Sequence, residues 1–241
     1  MTFDNNVLIG IIHLTDIHFS DGTNTLLQKK ELLFRALKDD FWGCQFIYIV
    51  VSGDIAAKGK FHEYEVARQF FNFLFTQLKN QYPSIIIKFV FVTGNHDCNF
   101  DLDTQIRRNI IKDITYESIG KDGSVFHECL KVQQNFWNFY YCFNQFKIPD
   151  DRIYYRVIDY IADKTVCFHC FNTAWMSQID EKVGTLFFPV KHYTDFATSN
   201  NFDLNIAVLH HPLNWFNPNT TDNNKKEFQT LLELTDLILI K

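Results

Sequence analysis

Residues 85–97 of the 241-residue chain, IIIKFVFVTGNHD, join an apolar run directly to a group of polar side chains. β-Branched and aromatic residues dominate the run, which predicts a buried β-strand over residues 85–93. Gly94 then begins a turn that carries an amide, an imidazole and a carboxylate in succession. Because these side chains follow a buried strand, the segment predicts a functional site at one edge of a sheet.

Two strands and two helices precede this segment. Strands are predicted over residues 7–15 and 46–52, and helices over residues 26–41 and 62–79. With the strand at residues 85–93, these elements alternate in the order β-α-β-α-β. That order predicts an α/β fold, and the apolar face of the second helix is expected to fill the core.

The middle of the chain, residues 101–146, is helical in character and dense in aromatic residues. One interpretation is a helical insertion or cap that covers one edge of the sheet and helps to choose the substrate. The other is an ordinary crossover with aromatic packing. After it, the pattern predicts strands at residues 153–158, 165–172, 186–190 and 204–209, a helix near residues 227–234 and a further apolar run at residues 237–240.

Composition limits the class of protein and of partner. Hydrophobic residues make up 46% of the chain and Phe occurs 26 times, which favours a packed aromatic core over disorder. The formal net charge of −5 argues against general binding to a nucleic-acid backbone, so a nucleic acid is expected only as a substrate. Since neither a signal segment nor a long apolar stretch is visible, we expect a soluble, cytoplasmic protein without a membrane partner.

The six cysteines are dispersed along the chain, and a disulfide framework is not expected. Cys167 and Cys170 form a C-x-x-C pair inside an apolar run, but no second pair accompanies them. A tetrahedral zinc site needs more ligands than this run offers. The pair is therefore predicted to consist of buried structural thiols.

Four short motifs place metal-ligand side chains directly after apolar runs. They are Asp16-Ile17-His18, Gly53-Asp54, Gly94-Asn95-His96-Asp97 and His210-His211-Pro212. The carboxyl ends of strands in an α/β sheet share one edge, so side chains far apart in sequence can converge there. Carboxylate, imidazole and amide groups together suit a borderline divalent ion such as manganese, iron or zinc. Each motif alone is common, and their joint order carries the information.

That joint order, D-x-H, G-D, G-N-H-D and H-x-P, resembles the calcineurin-like metallophosphoesterase family from Asp16 to Pro212. The resemblance implies a single domain over residues 1–241, with two β-sheets packed as a sandwich between helices in four αββα layers. It also implies a site for two divalent metal ions at one edge of the sandwich, and a helical insertion at residues 101–146.

The resemblance further implies a role for each site residue. Asp16 and His18 would bind the first metal, and Asp54 would bridge both metals. The second metal would take Asn95 and His210 as ligands. His96 would be catalytic, giving a proton to the leaving group or stabilising charge on the phosphoryl oxygens, and Asp97 would hold His96 in orientation.

The implied activity is hydrolysis of a phosphoester, foremost a phosphodiester of a nucleotide or nucleic acid, by a metal-activated hydroxide. The alternative is a catalytically impaired scaffold or effector domain of a larger protein. Other polar residues near the motifs have competing interpretations. His13 and His169 are expected to be core or supporting residues, while His211 and the Asn172-Thr173 pair are either supporting residues or part of the site.

One element of the family pattern is absent, because no G-H-x-H occurs in the sequence. The resemblance implies that its two histidines each complete one metal site, so each metal would keep three protein ligands. The chain is expected to be incomplete at its C-terminus, although a variant site and a non-catalytic module remain open. Further domains or a partner chain would then cover the C-terminal edge.

Overall fold

The first sheet holds three parallel strands in the order β1-β2-β3: β1 at Ile9–Leu14, β2 at Phe46–Ser52 and β3 at Ile86–Val92. The computed structural model describes residues 8–119, 123–193, 202–219 and 223–241. Residue 7 of the first predicted strand and residues 120–122 of the middle segment therefore lie outside the described residues. Every residue of the central strand β2 is buried, as its continuous apolar run predicts.

The second sheet has the order β4-β5-β6-β7, with β4 antiparallel to β5 and the remaining pairs parallel. Its strands are β4 at Tyr154–Ile161, β5 at Lys164–Phe171, β6 at Leu204–Leu209 and β7 at Leu237–Leu239. The edge residues Leu237 and Ile238 are each 41% exposed. Cover of this edge by another chain or domain stays a prediction.

The strand predicted at residues 186–190 is wrong. Leu186 makes an isolated bridge with Phe216, and a 3-10 turn follows at Val190–His192. The backbone N–H of Phe188 donates to the Asn224 side chain rather than to a strand. The apolar run reflects core packing, since the Phe188 and Phe228 rings stack with centroids 4.7 Å apart, and a short buried run does not identify a strand on its own.

The two sheets pack face to face. Rings meet between them, with the Tyr48 and Phe168 centroids 4.6 Å apart. The Tyr48 hydroxyl donates to Asp159 Oδ2 at 2.8 Å, and the Tyr155 hydroxyl donates to the Phe91 carbonyl. These contacts join β2 and β3 to β4 and β5, and they confirm the predicted two-sheet sandwich.

Helices cover both outer faces of the sandwich. They are α1 at Thr25–Gln28, α2 at Lys30–Leu37, α3 at Phe61–Gln81, α4 at Gln105–Lys112, α5 at Tyr116–Ile119, α6 at Ser124–Leu130, α7 at Gln134–Phe143 and α8 at Asn224–Leu232. Phe71 of α3 packs on Phe91 of the first sheet, and Phe228 of α8 packs on Phe171 of the second. None of these described helices is long and apolar enough to cross a membrane.

The middle segment 101–146 contains α4 to α7, and its aromatic density belongs to the core. Phe136, Trp137, Phe139 and Tyr140 of α7 are buried. The Phe139 ring lies 5.1 Å from that of Phe91. Whether the rest of the segment acts as a cap that selects substrate stays a prediction.

The two cysteines of the C-x-x-C pair are free and buried in β5. Side chains alternate between the two faces of a strand, so positions 167 and 170 face opposite sides of the sheet. This arrangement agrees with the prediction of structural thiols.

Candidate metal centre

The structure gathers the predicted ligands at the carboxyl ends of four strands. Asp16 and His18 follow β1, Asp54 follows β2, Asn95 follows β3 and His210 follows β6. The ends of β1, β2 and β3 meet because these strands are parallel neighbours, and packing of the second sheet brings β6 alongside. Residues nearly 200 positions apart in sequence therefore share one site.

The backbone at this edge is unusual. Asp16, His18 and Asp54 have φ values of 52°, 54° and 57°, in the left-handed region that few non-glycine residues adopt. Hydrogen bonds across the two loops hold this conformation, with the His18 N–H donating to the Asp54 carbonyl at 2.9 Å. Such strain persists where the surroundings over-determine it, and it clusters at functional sites.

Gly94 allows the ends of β2 and β3 to approach closely. A Cβ at this position would lie 2.1 Å from Asp54 Oδ1 and 2.5 Å from the Asp54 backbone nitrogen. Gly53 is similarly confined, since a Cβ there would lie 2.6 Å from His210 Nδ1. The glycines in the G-D and G-N-H-D motifs therefore make room for the carboxylate and imidazole that converge here.

Asp54 is the centre of the site. Its side chain is fully buried, and Oδ1 accepts a hydrogen bond from the His96 backbone N–H at 2.9 Å. Oδ2 has no hydrogen-bond partner within the described residues, although His210 Nε2 lies 3.3 Å away and His18 Nε2 3.7 Å away. Burial raises the pKa of this carboxyl, but interactions with His210 and His96 outweigh burial and lower the pKa to about 2. Asp54 is thus an ionised carboxylate with one buried, uncommitted oxygen.

His210 is oriented from behind. Its Nδ1 donates to the Ser52 carbonyl at 2.9 Å, because a carbonyl can only accept. Nε2 is then directed to Asn95 Oδ1 at 3.1 Å and Asp54 Oδ2 at 3.3 Å. Burial lowers the His210 pKa, but the Asp54 carboxylate and the Ser52 carbonyl raise it more, so the net shift is upward. A nitrogen lone pair facing two acceptor oxygens is stable only with a proton or a cation between them.

A cationic side chain already lies against the other half of the site. Lys241 Nζ lies 2.6 Å from Asp16 Oδ1 and 3.9 Å from Asp54 Oδ2. His18 Nε2 is 3.7 Å from the same Asp16 oxygen, and burial lowers the His18 pKa. The geometry therefore favours a neutral imidazole beside carboxylates that attract positive charge.

These residues fit two divalent ions. Two groups of ligand atoms, each within 4.8 Å of one another, share Asp54: one adds His18 and His96, and the other adds Asp16 and His210. Oxygen and imidazole donors suit a borderline divalent metal. The uncommitted Asp54 Oδ2 lies between the two groups, where a bridging ligand would be. Since His96 is part of one group, its assignment as a catalytic residue rather than a ligand stays a prediction.

The orientation of His96 comes from a different residue than the sequence predicts. His96 Nδ1 donates to the Ala57 carbonyl at 2.8 Å, and its exposed ring meets that of His18 edge-on. Asp97 instead holds the loops together, because its oxygens accept from Ala56 N–H, Tyr64 O–H and Gly94 N–H at 2.9–3.0 Å. The predicted direct contact of Asp97 with His96 is therefore replaced by an indirect one. Burial and the nearby Asp54 raise the Asp97 pKa to about 6.

A layer of polar residues supports the site. His13 Nε2 contacts Ser52 Oγ at 2.8 Å, and His211 Nδ1 contacts Thr173 Oγ1 at 3.0 Å. His211 Nε2 also lies 3.3 Å from Glu181 Oε2, and both side chains are almost fully buried. The hydroxyl of Thr93 donates to Asn172. His211 and the Asn172-Thr173 pair therefore contact supporting groups.

Sequence reasoning missed three contributors: Ala57, Glu181 and Lys241. Ala57 acts through its carbonyl, which no residue pattern reveals. Glu181 lies in a loop without a motif, and Lys241 follows a short apolar strand as a lone charge. Only tertiary contact marks them.

Comparison with known proteins agrees with the geometry. A family model for calcineurin-like phosphoesterases matches residues 9–239, which is nearly the whole chain. The chain belongs to the calcineurin-like phosphoesterase family, a class of metal-dependent hydrolases of phosphoesters. No curated protein matches the chain.

Proposed function

We propose that the protein hydrolyses a phosphodiester, of a nucleotide or a nucleic acid, with two divalent metal ions of the manganese, iron or zinc type. The observation that carries this proposal is Asp54 Oδ2, a buried and ionised carboxylate oxygen that lies between two groups of ligand atoms. An uncommitted buried oxygen of this kind costs free energy unless a cation pairs with it. The shared position suits a carboxylate that bridges two ions.

Each half of the site would hold one ion. Asp16, His18 and Asp54 offer donors on one side, and Asn95, His210 and Asp54 on the other. When bound, two such ions supply an activated water and Lewis-acid stabilisation of the phosphate charge. The chain contributes the spacing of the donors and a buried carboxylate that offsets repulsion between the ions.

His96 is suited to protonate the leaving oxygen. Its Nδ1 is committed to the Ala57 carbonyl, so Nε2 is the nitrogen that can exchange a proton with the substrate. The ring is exposed at the mouth of the site, where a leaving group would depart. A positioned general acid of this kind typically contributes about 10²–10⁴-fold to the rate.

A second function, a catalytically impaired scaffold or effector domain, is favoured by Lys241. Its ammonium contacts Asp16 in the space that a first metal ion would use. If this contact dominates, the first site holds a lysine and the protein binds at most one ion. Metal stoichiometry separates the two functions.

Metal content and hydrolysis, measured on the same samples, test the proposal. The wild-type chain should bind about two ions by elemental analysis and hydrolyse bis(p-nitrophenyl) phosphate in manganese. Asp54→Asn should lose both properties. His96→Ala should keep the metal and lower kcat by about 10²–10⁴-fold, whereas the control His62→Ala, on an exposed helix position, should change neither.

Two outcomes contradict parts of the proposal. Equal loss of metal in Asp54→Asn and His96→Ala would make His96 a ligand rather than a general acid. A wild-type chain with no ion or one ion and no hydrolysis would support the scaffold function instead.

A further inference from the structure

A cavity of about 400 Å³ opens directly beside Asn95 and His96. Three chain segments enclose it: residues 57–60 after β2, residues 95–101 after β3 and residues 178–179 after β5. All three lie at the same edge of the sandwich as the candidate metal centre. The cavity volume is within the range of small-molecule sites, so it can hold a substrate group the size of a nucleoside.

The walls of this cavity are largely apolar. Phe100 lines one side and Ile179 the other, and Ile179 is 75% exposed. A large exposed apolar side chain next to a polar centre is costly in water and becomes favourable when a ligand covers it. Lys58 adds a positive charge at the rim, and its ammonium forms no ion pair with the described residues, which suits an anionic ester.

The cavity walls are tied together before any ligand arrives. Lys60 Nζ donates to Asn99 Oδ1 at 2.9 Å and pairs with the Asp101 carboxylate, so the loops after β2 and β3 are joined. Asn135 Nδ2 donates to the Gly59 carbonyl at 2.8 Å and fixes the first loop to α7. A preformed pocket spends less binding free energy on ordering its loops.

The opposite side of the metal centre has a different character. A cavity of about 500 Å³ beside Asp16 and His18 includes Thr23, Asn24 and Lys29 in its lining. Polar side chains of this kind suit the charged or hydroxyl-bearing part of a substrate. The apolar cavity adjoins His96 instead, the residue proposed to protonate the leaving oxygen.

We propose that the cavity beside His96 is the leaving-group subsite and that it binds an apolar, ring-bearing alcohol such as a nucleoside through Phe100 and Ile179. This inference rests on the proposed phosphodiesterase function, because the role of His96 sets which substituent lies there. The chemistry is non-covalent: the ring of the substrate packs between the two apolar walls while its ester oxygen faces His96.

Paired substrates test the subsite by hydrolysis. Methyl p-nitrophenyl phosphate has an aromatic leaving group, and methyl 2,2,2-trifluoroethyl phosphate has a small one that ¹⁹F NMR follows. The double variant Phe100→Ala/Ile179→Ala should lower kcat/KM about tenfold for the aromatic ester, the size expected for lost apolar contacts. The small ester should change less than twofold, and manganese content should stay at the wild-type value.

A binding measurement keeps the inference testable even without turnover. By calorimetry on the manganese-loaded chain, phenylphosphonate should bind more tightly than methylphosphonate, and the double variant should lose about tenfold for the phenyl compound alone. Ile106→Ala is the matched control, since Ile106 is 65% exposed on α4 outside the cavity.

The outcomes separate the inference from the function on which it rests. Equal effects on both esters, or equal binding of the two phosphonates by the wild type, would overturn the subsite. Selective binding of phenylphosphonate without hydrolysis of either ester would support the subsite and count against the proposed activity. A loss of manganese in the double variant would place these residues in metal binding rather than in recognition.

Discussion

The metal edge and the aromatic core use the same strands in opposite ways. In the core, Phe71 of α3 lies 5.1–6.5 Å, centroid to centroid, from six other Phe rings. At the metal edge, β1 and β2 lead into left-handed residues, and a buried carboxylate oxygen has no hydrogen-bond partner among the described residues. One region satisfies every local preference, and the other violates several.

The difference shows where stability and function separate. Close-packed rings contribute burial and aromatic contact, while left-handed residues and a buried charge cost free energy. Proteins retain such costs mainly at functional sites. Substitutions in the core should therefore change stability and leave the metal site intact, and substitutions at the edge should do the reverse.

The largest expected effect is that of Gly94→Ala. The added Cβ would overlap Asp54 Oδ1 and the Asp54 backbone, so the carboxylate must leave its position. We expect most of the bound metal to be lost and hydrolysis to fall to background, as measured by elemental analysis and the diester assay. Gly22→Ala is the matched control, because a Cβ there meets no atom within 4 Å. Full metal content in Gly94→Ala would show that the strand ends can separate without harm.

Next in size is Phe71→Ala. Removing a fully buried ring should lower the free energy of unfolding by about 3–5 kcal/mol, as measured by urea denaturation. The folded fraction should bind metal as the wild type does. Phe75→Ala is the control, since Phe75 is 36% exposed on the same helix and should cost much less. A changed metal affinity in folded Phe71→Ala would show that the core and the edge are coupled.

The smallest expected effect is that of Lys241→Gln. The lysine ammonium competes with a cation at Asp16, so its removal should raise the affinity of the first metal several-fold. Because the lysine is 45% exposed, its ion pair should contribute no more than about 1 kcal/mol to the stability of the metal-free protein. Calorimetric titration with manganese would measure the affinity. Lys164→Gln, which removes an exposed ion pair with Asp203, should leave it unchanged. A lower affinity in Lys241→Gln would mean that the lysine assists metal binding.

Much of the fold could be predicted from the sequence because burial imposes periodicity on residues close together in the chain. The structure has β2 and β6 at the predicted bounds, and the long helix α3 lies within two residues of them. The helix predicted at residues 26–41 is divided at Lys29 into α1 and α2. The missed segment at residues 186–190 is equally apolar, but its backbone hydrogen bonds are made with Asn224 and neighbouring residues.

The candidate site divides in the same way. The sequence alone determined which side chains could bind metal, because each motif directly follows an apolar run and strand ends share an edge. Tertiary structure alone decided that Ala57 rather than Asp97 contacts His96 Nδ1, that Glu181 pairs with His211, and that Lys241 meets Asp16. Side-chain type and spacing are local properties of the chain. Contacts between loops depend on how two sheets pack, and no local pattern encodes that geometry.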